Sequence, residues 1–191
     1  MVTTVGILAL QGDFARHERA LARLELASRQ VRYPDELDGL AALIIPGGES
    51  TTISKQLSSS GLRSEIVAFA RQRPVMGTCA GLILMARKSG DPQVEPLGLL
   101  DLEISRNGWG RQVHSFRTTL TANIAGDRAD LAAIFIRAPR IVAIGPEVEV
   151  LAELEGDPVL VRQGHHLAMS FHPELTPDAR IHSLFMAALA A

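Results

Sequence analysis

The sequence is poor in cysteine and lysine and has no long apolar run. Its single cysteine, Cys79, excludes an intramolecular disulfide and with it a secreted, disulfide-stapled scaffold. Lysine occurs only at Lys55 and Lys88, and no run of basic residues could follow a phosphate backbone, so nucleic acid is not an expected partner. The longest uncharged stretch around Cys79, residues 74–86, is shorter than the ~18 residues that cross a bilayer. Because the first residues carry no basic targeting region, a soluble cytoplasmic protein with no membrane partner is expected.

The composition is that of a globular protein. Of the 191 residues, 47% are hydrophobic and 21% are charged, and 19 basic against 21 acidic residues give a formal net charge of −2. Domains usually contain ~100–200 residues. Since there is also no internal repeat or linker-like segment, residues 1–191 are expected to form a single domain.

The first part of the chain alternates short apolar runs with amphipathic segments. Residues 5–10 and 41–45 are nearly continuous apolar runs, which is typical of strands buried on both faces. After the first run, Asp13 can cap a helix. Strands alternating with helices predict an α/β fold with a mostly parallel sheet and ligand sites at the carboxyl ends of its strands. Further elements are expected as a strand near 30–33, helical sequence over 66–71, a strand over 74–77 and a helix from 82.

After Gly90 the sequence becomes rich in strand-like segments separated by Gly, Pro and Asp. Thr176 and Pro177 are expected to open a final helix, with proline at the first helical position. The second half is therefore expected to be strand-rich. The expected strands are residues 99–105, 115–122, 134–136, 148–154, 159–161 and 167–171.

The segment Gly77-x-Cys79-x-Gly81 lies between a predicted strand and a predicted helix. Small flanking residues there permit the strained turn of a nucleophile elbow, which lifts the central side chain into a cleft. The helix N-terminus would favour the thiolate, and the Ala80 N–H is the natural donor to an oxyanion. An isolated buried cysteine beside helix-packing glycines is more often structural, so the spacing alone leaves both interpretations open.

A thiol nucleophile needs a base and a group that orients the base, and the sequence offers His172 and Glu174 just after a predicted strand. In extended chain, side chains two residues apart point the same way, so the carboxylate can fix the tautomer of the imidazole. The other histidines have simpler interpretations, with His17 expected on a helix face and His182 on a helix surface. No histidine stands in a metal-ligand spacing, so no metal is expected.

The glycine-rich loop at residues 46–52 follows the second buried strand. A phosphate-binding loop requires Lys before its Ser or Thr, and Glu49 occupies that region instead, which disfavours a nucleotide. Gly48 can present its N–H to a reacting carbonyl, so the loop suits an oxyanion hole and a substrate-binding site. A simple glycine turn between strand and helix is the alternative.

Taken together, these motifs resemble the class I (triad) glutamine amidotransferases and, among them, the glutaminase subunits of pyridoxal 5′-phosphate synthase. The resemblance spans essentially the whole chain, and the motifs stand in the order of the family. The segments that carry it are Leu10-Gln11-Gly12, Pro46-Gly47-Gly48-Glu49-Ser50-Thr51-Thr52, Gly77-Thr78-Cys79-Ala80-Gly81, Arg106-Asn107-x-x-Gly110-Arg111-Gln112, Phe135-Ile136-Arg137-Ala138-Pro139 and Ser170-Phe171-His172-Pro173-Glu174-Leu175-Thr176.

The resemblance implies a flavodoxin-like three-layer fold and a glutaminase that needs no metal or cofactor. It makes Cys79 the nucleophile, His172 the base and acid, and Glu174 the group that orients His172. It also implies backbone oxyanion donors at Gly48 and Ala80. The implied glutamine-binding residues are Gly47, Gly48, Glu49, Ser50, Arg106, Ile136 and Arg137.

The resemblance further implies that the ammonia passes to a partner synthase chain, near the loop at Gln11, and that the isolated subunit is weakly active until the partner organises its oxyanion hole. Pyridoxal 5′-phosphate is then a product of the complex. Trp109 and Met169 depart from the family pattern, which affects the pocket edge and packing but not the triad. The alternatives are a glutaminase subunit for a different synthase, a cysteine hydrolase of similar fold and a non-catalytic binding subunit.

Overall fold

The computed structural model describes residues 3–106 and 115–189, which contain two β-sheets and five α-helices. The helices are α1 (Phe14–Arg23), α2 (Ser50–Ser59), α3 (Leu62–Ala70), α4 (Ala80–Met85) and α5 (Arg180–Ala187). The strands are β1 (Thr4–Leu8), β2 (Ala27–Val31), β3 (Ala42–Ile45), β4 (Val75–Thr78), β5 (Ala86–Lys88), β6 (Leu100–Ser105), β7 (Ser115–Ile124), β8 (Asp127–Ile136), β9 (Arg140–Ile144), β10 (Glu149–Leu154), β11 (Asp157–Gln163) and β12 (His166–Met169).

The central sheet has nine strands in the order β2-β1-β3-β4-β12-β11-β10-β7-β8. Its first five strands run parallel to one another, and each of the following pairs is antiparallel. A smaller sheet has the order β5-β6-β9. The expected α/β fold with a mostly parallel core and a strand-rich second half is therefore confirmed.

The inner parallel strands β3 and β4 are completely buried because both faces of the sheet are covered there, whereas the edge strand β2 carries the polar residues 28–30 and is partly exposed. Along β3, Leu43 and Ile45 pack into one hydrophobic cluster, with α2, α3, α4 and the small sheet. Ala42 and Ile44 point the other way, into a second cluster that includes residues of α1, α5 and the β7–β8 hairpin. Since successive side chains of a strand alternate between its two faces, the single strand β3 contributes side chains to both clusters. The molecule thus has the three layers that were expected.

Several element boundaries differ from expectation. The final helix begins at Arg180 rather than near Thr176, because the Arg180 N–H donates to Asp178 Oδ1 (3.0 Å) while the Thr176 hydroxyl closes a turn on the Pro173 carbonyl (3.1 Å). Asp13 precedes α1 but makes no side-chain cap, and it pairs with Arg16 instead. Helix α2 and strands β5 and β9 were not expected, and β2 and β8 have different bounds.

Candidate active site

Three loops meet at the carboxyl ends of adjacent strands. Strand β4 lies between β3 and β12 in the central sheet. The glycine-rich loop follows β3, Cys79 follows β4 directly, and His172 lies three residues beyond the end of β12. The Cys79 N–H donates to the Met169 carbonyl (2.9 Å), which joins the ends of β4 and β12. The parallel order of these strands therefore brings residues 47, 79 and 172 to one edge of the sheet.

Cys79 has the backbone strain of a nucleophile elbow, with φ 51° and ψ −102°. L-residues rarely adopt a positive φ, and the surrounding structure must hold it. A Cβ on Gly77 would lie 2.7 Å from the Gly81 carbonyl carbon, and one on Gly81 would lie 2.0 Å from the Ile45 carbonyl oxygen. Both flanking positions thus require glycine. The thiol Sγ lies 3.8 Å from the carbonyl oxygen of Ile136, to which it donates.

His172 and Glu174 form a buried pair. His172 Nδ1 lies 2.6 Å from Glu174 Oε1, and the two residues are 8% and 5% exposed. Both side chains were expected to project from the same side of an extended segment. The structure instead has a 3-10 turn at Pro173–Leu175, which folds the carboxylate back onto the imidazole. The pairing is as expected, but its backbone geometry is different.

Charge and burial act in opposite directions on this pair. Burial alone would lower the pKa of His172, but its interactions with Cys79 and Glu174 outweigh burial and raise the pKa to about 10. Burial would raise the pKa of Glu174, yet the hydrogen bond with His172 and the charge of the protonated imidazole lower it. The imidazole is therefore well suited to hold a proton beside an ionised carboxylate.

The glycine-rich loop packs directly against the two reactive side chains. A Cβ built on Gly47 would lie 2.5 Å from His172 Cε1 and 3.3 Å from Cys79 Cβ, so the three residues are in contact. The Nε2 atom of His172 is buried and has no hydrogen-bond partner among the described residues. Since Nδ1 is held by Glu174, Nε2 is the nitrogen left to exchange a proton in the site.

The side chain of Glu49 caps helix α2, which begins at the next residue. Its carboxylate accepts from the backbone N–H groups of Thr51 (3.2 Å) and Thr52 (2.7 Å), which caps α2. Hydrogen bonds from the hydroxyls of the same two threonines lower its pKa to about 2. Its own N–H donates to Gln11 Oε1 (2.7 Å), which ties the glycine-rich loop to the turn after β1. The next residue, Ser50, is buried, and its hydroxyl has no partner in the described structure.

Arg106 reaches this loop from the end of β6. Its guanidinium pairs with Asp91 and, at 3.3 Å, with Glu49 Oε1. Ile136 contributes the carbonyl that faces the Cys79 thiol, and Arg137 after it has a positive φ of 43°. The structure thus brings Arg106 to Glu49 and Ile136 to Cys79. Asn107, Trp109, Gly110, Arg111 and Gln112 of the Arg-Asn motif lie outside the described residues.

One expectation about the histidines was wrong. His182 was expected on a helix surface but is completely buried, whereas His17 lies on a face of α1 as expected and is also completely buried. A signal was present, because His17 stands three residues after Phe14 and four before Leu21 on the apolar stripe of α1. Asp91, the partner of Arg106, was not identified from the sequence, since no local pattern marks it.

Within residues 3–106 and 115–189, no cluster of three or more His, Cys, Asp or Glu side chains is arranged to hold a metal ion. In the same ranges, no helix is both long enough and apolar enough to span a membrane.

An elbow cysteine beside a His–Glu pair, at the end of the parallel strands of a mixed sheet covered on both faces, defines a triad glutamine amidotransferase fold. A solved glutamine amidotransferase shares this fold with a TM-score of 0.92 and 46% sequence identity, covering 98% of this chain and 99% of that one. The chain belongs to the SNO glutamine amidotransferase family, whose model matches residues 7–191.

Two curated relatives carry the same name. The pyridoxal 5′-phosphate synthase subunit PdxT of Herpetosiphon aurantiacus is 50% identical over 188 residues, which are 96% of this chain and 98% of that protein. The protein of that name from Koribacter versatilis is 46% identical over 182 residues, covering 95% of this chain and 93% of that protein. The family resemblance inferred from the motifs is therefore confirmed.

Proposed function

We propose that this chain, as a single glutaminase domain over residues 1–191, hydrolyses L-glutamine to L-glutamate and ammonia and delivers the ammonia to a pyridoxal 5′-phosphate synthase partner. The observation that carries the proposal is the strained Cys79 beside the buried His172–Glu174 pair. Family membership supports the reaction, and the name of the relatives supports the destination of the ammonia. We place the chain in the cytoplasm, where a catalytic thiol stays reduced.

In the first half of the reaction, Cys79 gives its proton to His172 and its sulfur attacks the side-chain amide carbon of glutamine. The new C–S bond produces a tetrahedral oxyanion. When this intermediate collapses, the C–N bond breaks and His172 returns the proton to the departing nitrogen, which leaves as ammonia. A γ-glutamyl thioester remains on Cys79.

In the second half, water attacks the thioester while His172 takes one of its protons. The C–S bond then breaks, glutamate leaves, and the proton returns to the sulfur. Glu174 keeps the imidazole in one tautomer and stabilises the imidazolium in both halves. These steps need no metal ion or bound cofactor.

The oxyanion is assigned to two backbone donors, the N–H groups of Ala80 and Gly48. Ala80 is the first residue of α4, where helix geometry leaves the N–H without an intrahelical acceptor. The Gly47–Gly48 peptide packs closely on the turn after β1, since a Cβ on Gly12 would lie 1.9 Å from the Gly47 carbonyl oxygen. Once the partner has oriented this loop, the two backbone donors can stabilise the developing charge.

We assign glutamine binding to Gly47, Gly48, Glu49, Ser50, Arg106, Ile136 and Arg137. An arginine can hold the α-carboxylate through charge-assisted hydrogen bonds, and carboxylate or carbonyl oxygens can accept from the α-ammonium. Arg106 already touches Glu49, so glutamine would insert at an existing ion pair. We therefore expect the Arg106–Glu49 pair to bind the α-carboxylate and the α-ammonium group of glutamine.

The partner proposal is tested by separating glutamine use from ammonia use. With the synthase partner present, Cys79→Ala should lose glutamate release and glutamine-dependent pyridoxal 5′-phosphate synthesis, while added ammonium still supports synthesis. The wild-type chain alone should release glutamate slowly and the complex faster. Glutamine-dependent synthesis by the Cys79→Ala complex, or full activity of the isolated wild-type chain, would contradict the account.

The contact between Gly47 and His172 gives a steric prediction. Gly47→Ala adds a methyl group 2.5 Å from His172 Cε1 and should displace the imidazole. A misplacement near 1 Å costs about 100-fold in rate, so kcat for glutamate release should fall by about that factor.

The matched control is Gly39→Ala, where nothing lies within 4 Å of the added Cβ although φ is +74°. This control should lose some thermal stability because of backbone strain but keep its kcat. If Gly47→Ala turned over glutamine at the wild-type rate, the assigned contact would be wrong.

A further inference from the structure

The second oxygen of Glu174 faces a buried group that the proposed reaction does not use. Oε1 is held by His172, whereas Oε2 is buried without a hydrogen-bond partner in the described structure. His17 Nε2 of helix α1 lies 3.6 Å from Oε2, and both side chains are completely buried. A carboxylate oxygen buried in this way is costly unless a donor faces it.

His17 also contacts the strand that leads to the nucleophile. Its Nε2 lies 3.4 Å from the hydroxyl oxygen of Thr78, the residue before Cys79. Its other ring nitrogen, Nδ1, lies 3.0 Å from Nε2 of His182 on helix α5. Two helices far apart in sequence therefore place a pair of imidazoles directly behind Glu174.

The neighbours of these rings select one arrangement of protons. Burial lowers the pKa of His17 and lowers the pKa of His182 to about 3, so both rings are neutral near pH 7. If His17 Nδ1 carried the proton, a bare Nε2 would face the Glu174 carboxylate. His182 Nδ1, which is buried and has no partner among the described residues, would then hold an unused proton.

In the opposite arrangement no unprotonated nitrogen faces the Glu174 carboxylate, and no proton on His182 lacks an acceptor. His182 Nε2–H donates to His17 Nδ1, and His17 Nε2–H faces the oxygens of Glu174 and Thr78. His182 Nδ1 is then an unprotonated nitrogen, so no donor is left buried without an acceptor. The N–H dipole of the neutral His17 ring then points its positive end toward the ionised carboxylate, 3.6 Å away.

We propose that His17 is a positioning residue for the triad: its Nε2–H holds the Glu174 carboxylate in line with His172, and His182 fixes the tautomer of His17. This inference rests on the proposed function, in which Glu174 orients the catalytic imidazole. His182, His17 and Glu174 then form a buried series of neighbouring side chains that leads from α5 through α1 to the active site. The other titratable or charged groups around these side chains are Asp13, Arg23, Cys79 and His172.

Two substitutions of His17 separate hydrogen bonding from packing. His17→Leu fills the space but removes the donor, so kcat for glutamate release should fall about ten- to hundredfold with little change in KM. Without the donor the pKa of Glu174 rises, so the acid limb of the kcat profile should move to higher pH. His17→Gln keeps an N–H near Nε2 and should recover much of kcat and the wild-type acid limb. His165→Gln, which changes a histidine that contacts Ala70 instead, is the matched control and should behave as wild type.

Folded His17→Leu protein with the wild-type kcat and pH profile would overturn the proposal. So would equal loss in His17→Leu and His17→Gln, because packing alone would then explain it. A measurement on the unaltered chain covers the case in which neither variant folds. Ring ¹⁵N NMR shifts should show both histidines neutral, with His17 protonated at Nε2, and protonation at Nδ1 would contradict the proposal. This readout does not depend on turnover, so it distinguishes failure of this inference from failure of the glutaminase assignment.

Discussion

Replacing Cys79 with glycine is expected to abolish glutamate release and, relative to alanine, to stabilise the fold. Both variants lack the thiol, so neither can form the thioester. Only alanine retains a Cβ at φ 51° and ψ −102°. Relief of that strain exceeds the larger chain entropy of glycine, so Cys79→Gly should unfold with a free energy about 1 kcal/mol higher than Cys79→Ala. Urea denaturation of the two proteins measures the difference.

A second site on the same chain provides the control for the elbow. Ala125, in the turn between β7 and β8, also has a positive φ, 53°. Ala125→Gly should raise stability in the same direction while leaving glutamate release intact. If Cys79→Gly proved less stable than Cys79→Ala while Ala125→Gly gained stability, the elbow would not carry the strain described here.

Replacing Glu174 with glutamine is expected to lower kcat by about 10²–10⁴-fold while the protein remains folded. The substitution keeps the shape of the side chain but replaces an acceptor-only carboxylate with a neutral amide, which carries a donor as well as an acceptor. The amide therefore neither enforces one imidazole tautomer nor stabilises an imidazolium by its charge. Steady-state glutamate release measures the effect. His172→Asn should abolish release, and an unimpaired Glu174→Gln enzyme would remove Glu174 from its assigned role.

The same substitution should change how stability depends on pH. The pKa of Glu174 is lowered from 4.5 in the folded protein, so its stabilising contribution is full above pH 4.5 and is lost as the pH falls. The pKa of His172 is raised from 6.5 to about 10, so its contribution is full below pH 6.5 and is lost as the pH rises toward about 10. The difference in unfolding free energy between wild type and Glu174→Gln should therefore be largest between pH 4.5 and 6.5. A difference that stayed constant from pH 4 to 9 would contradict this coupling.

Much of the site could be predicted because its requirements are local. A strained elbow needs small neighbours, and Gly77 and Gly81 stand on either side of Cys79 in the sequence. The buried parallel strands are apolar on both faces, so their runs and the turns that end them are visible without a structure. Parallel strands end at one edge, which is why loops 93 residues apart, at positions 79 and 172, could be expected to meet.

The parts that could not be predicted depend on contacts between distant segments. His17 and His182 are 165 residues apart, and although the apolar stripe of α1 indicates that His17 is buried, nothing in either helix indicates that the two rings meet. Only the packing of α1 and α5 on the same face of the sheet buries them together. The start of α5 differs from expectation for a similar reason: a proline after Thr176 suits a helix start, yet the helix begins at Arg180, whose N–H donates to Asp178 Oδ1.

The central claim is that Cys79 is the nucleophile of a glutamine-binding site. Its most direct test is mass spectrometry of the chain after reaction with an electrophile that mimics glutamine. We predict a single adduct on the peptide that contains Cys79, with formation slowed by excess L-glutamine and strongly reduced in His172→Asn. An adduct on another residue, or labelling of Cys79 at a rate that neither L-glutamine nor the His172 substitution changes, would contradict the account.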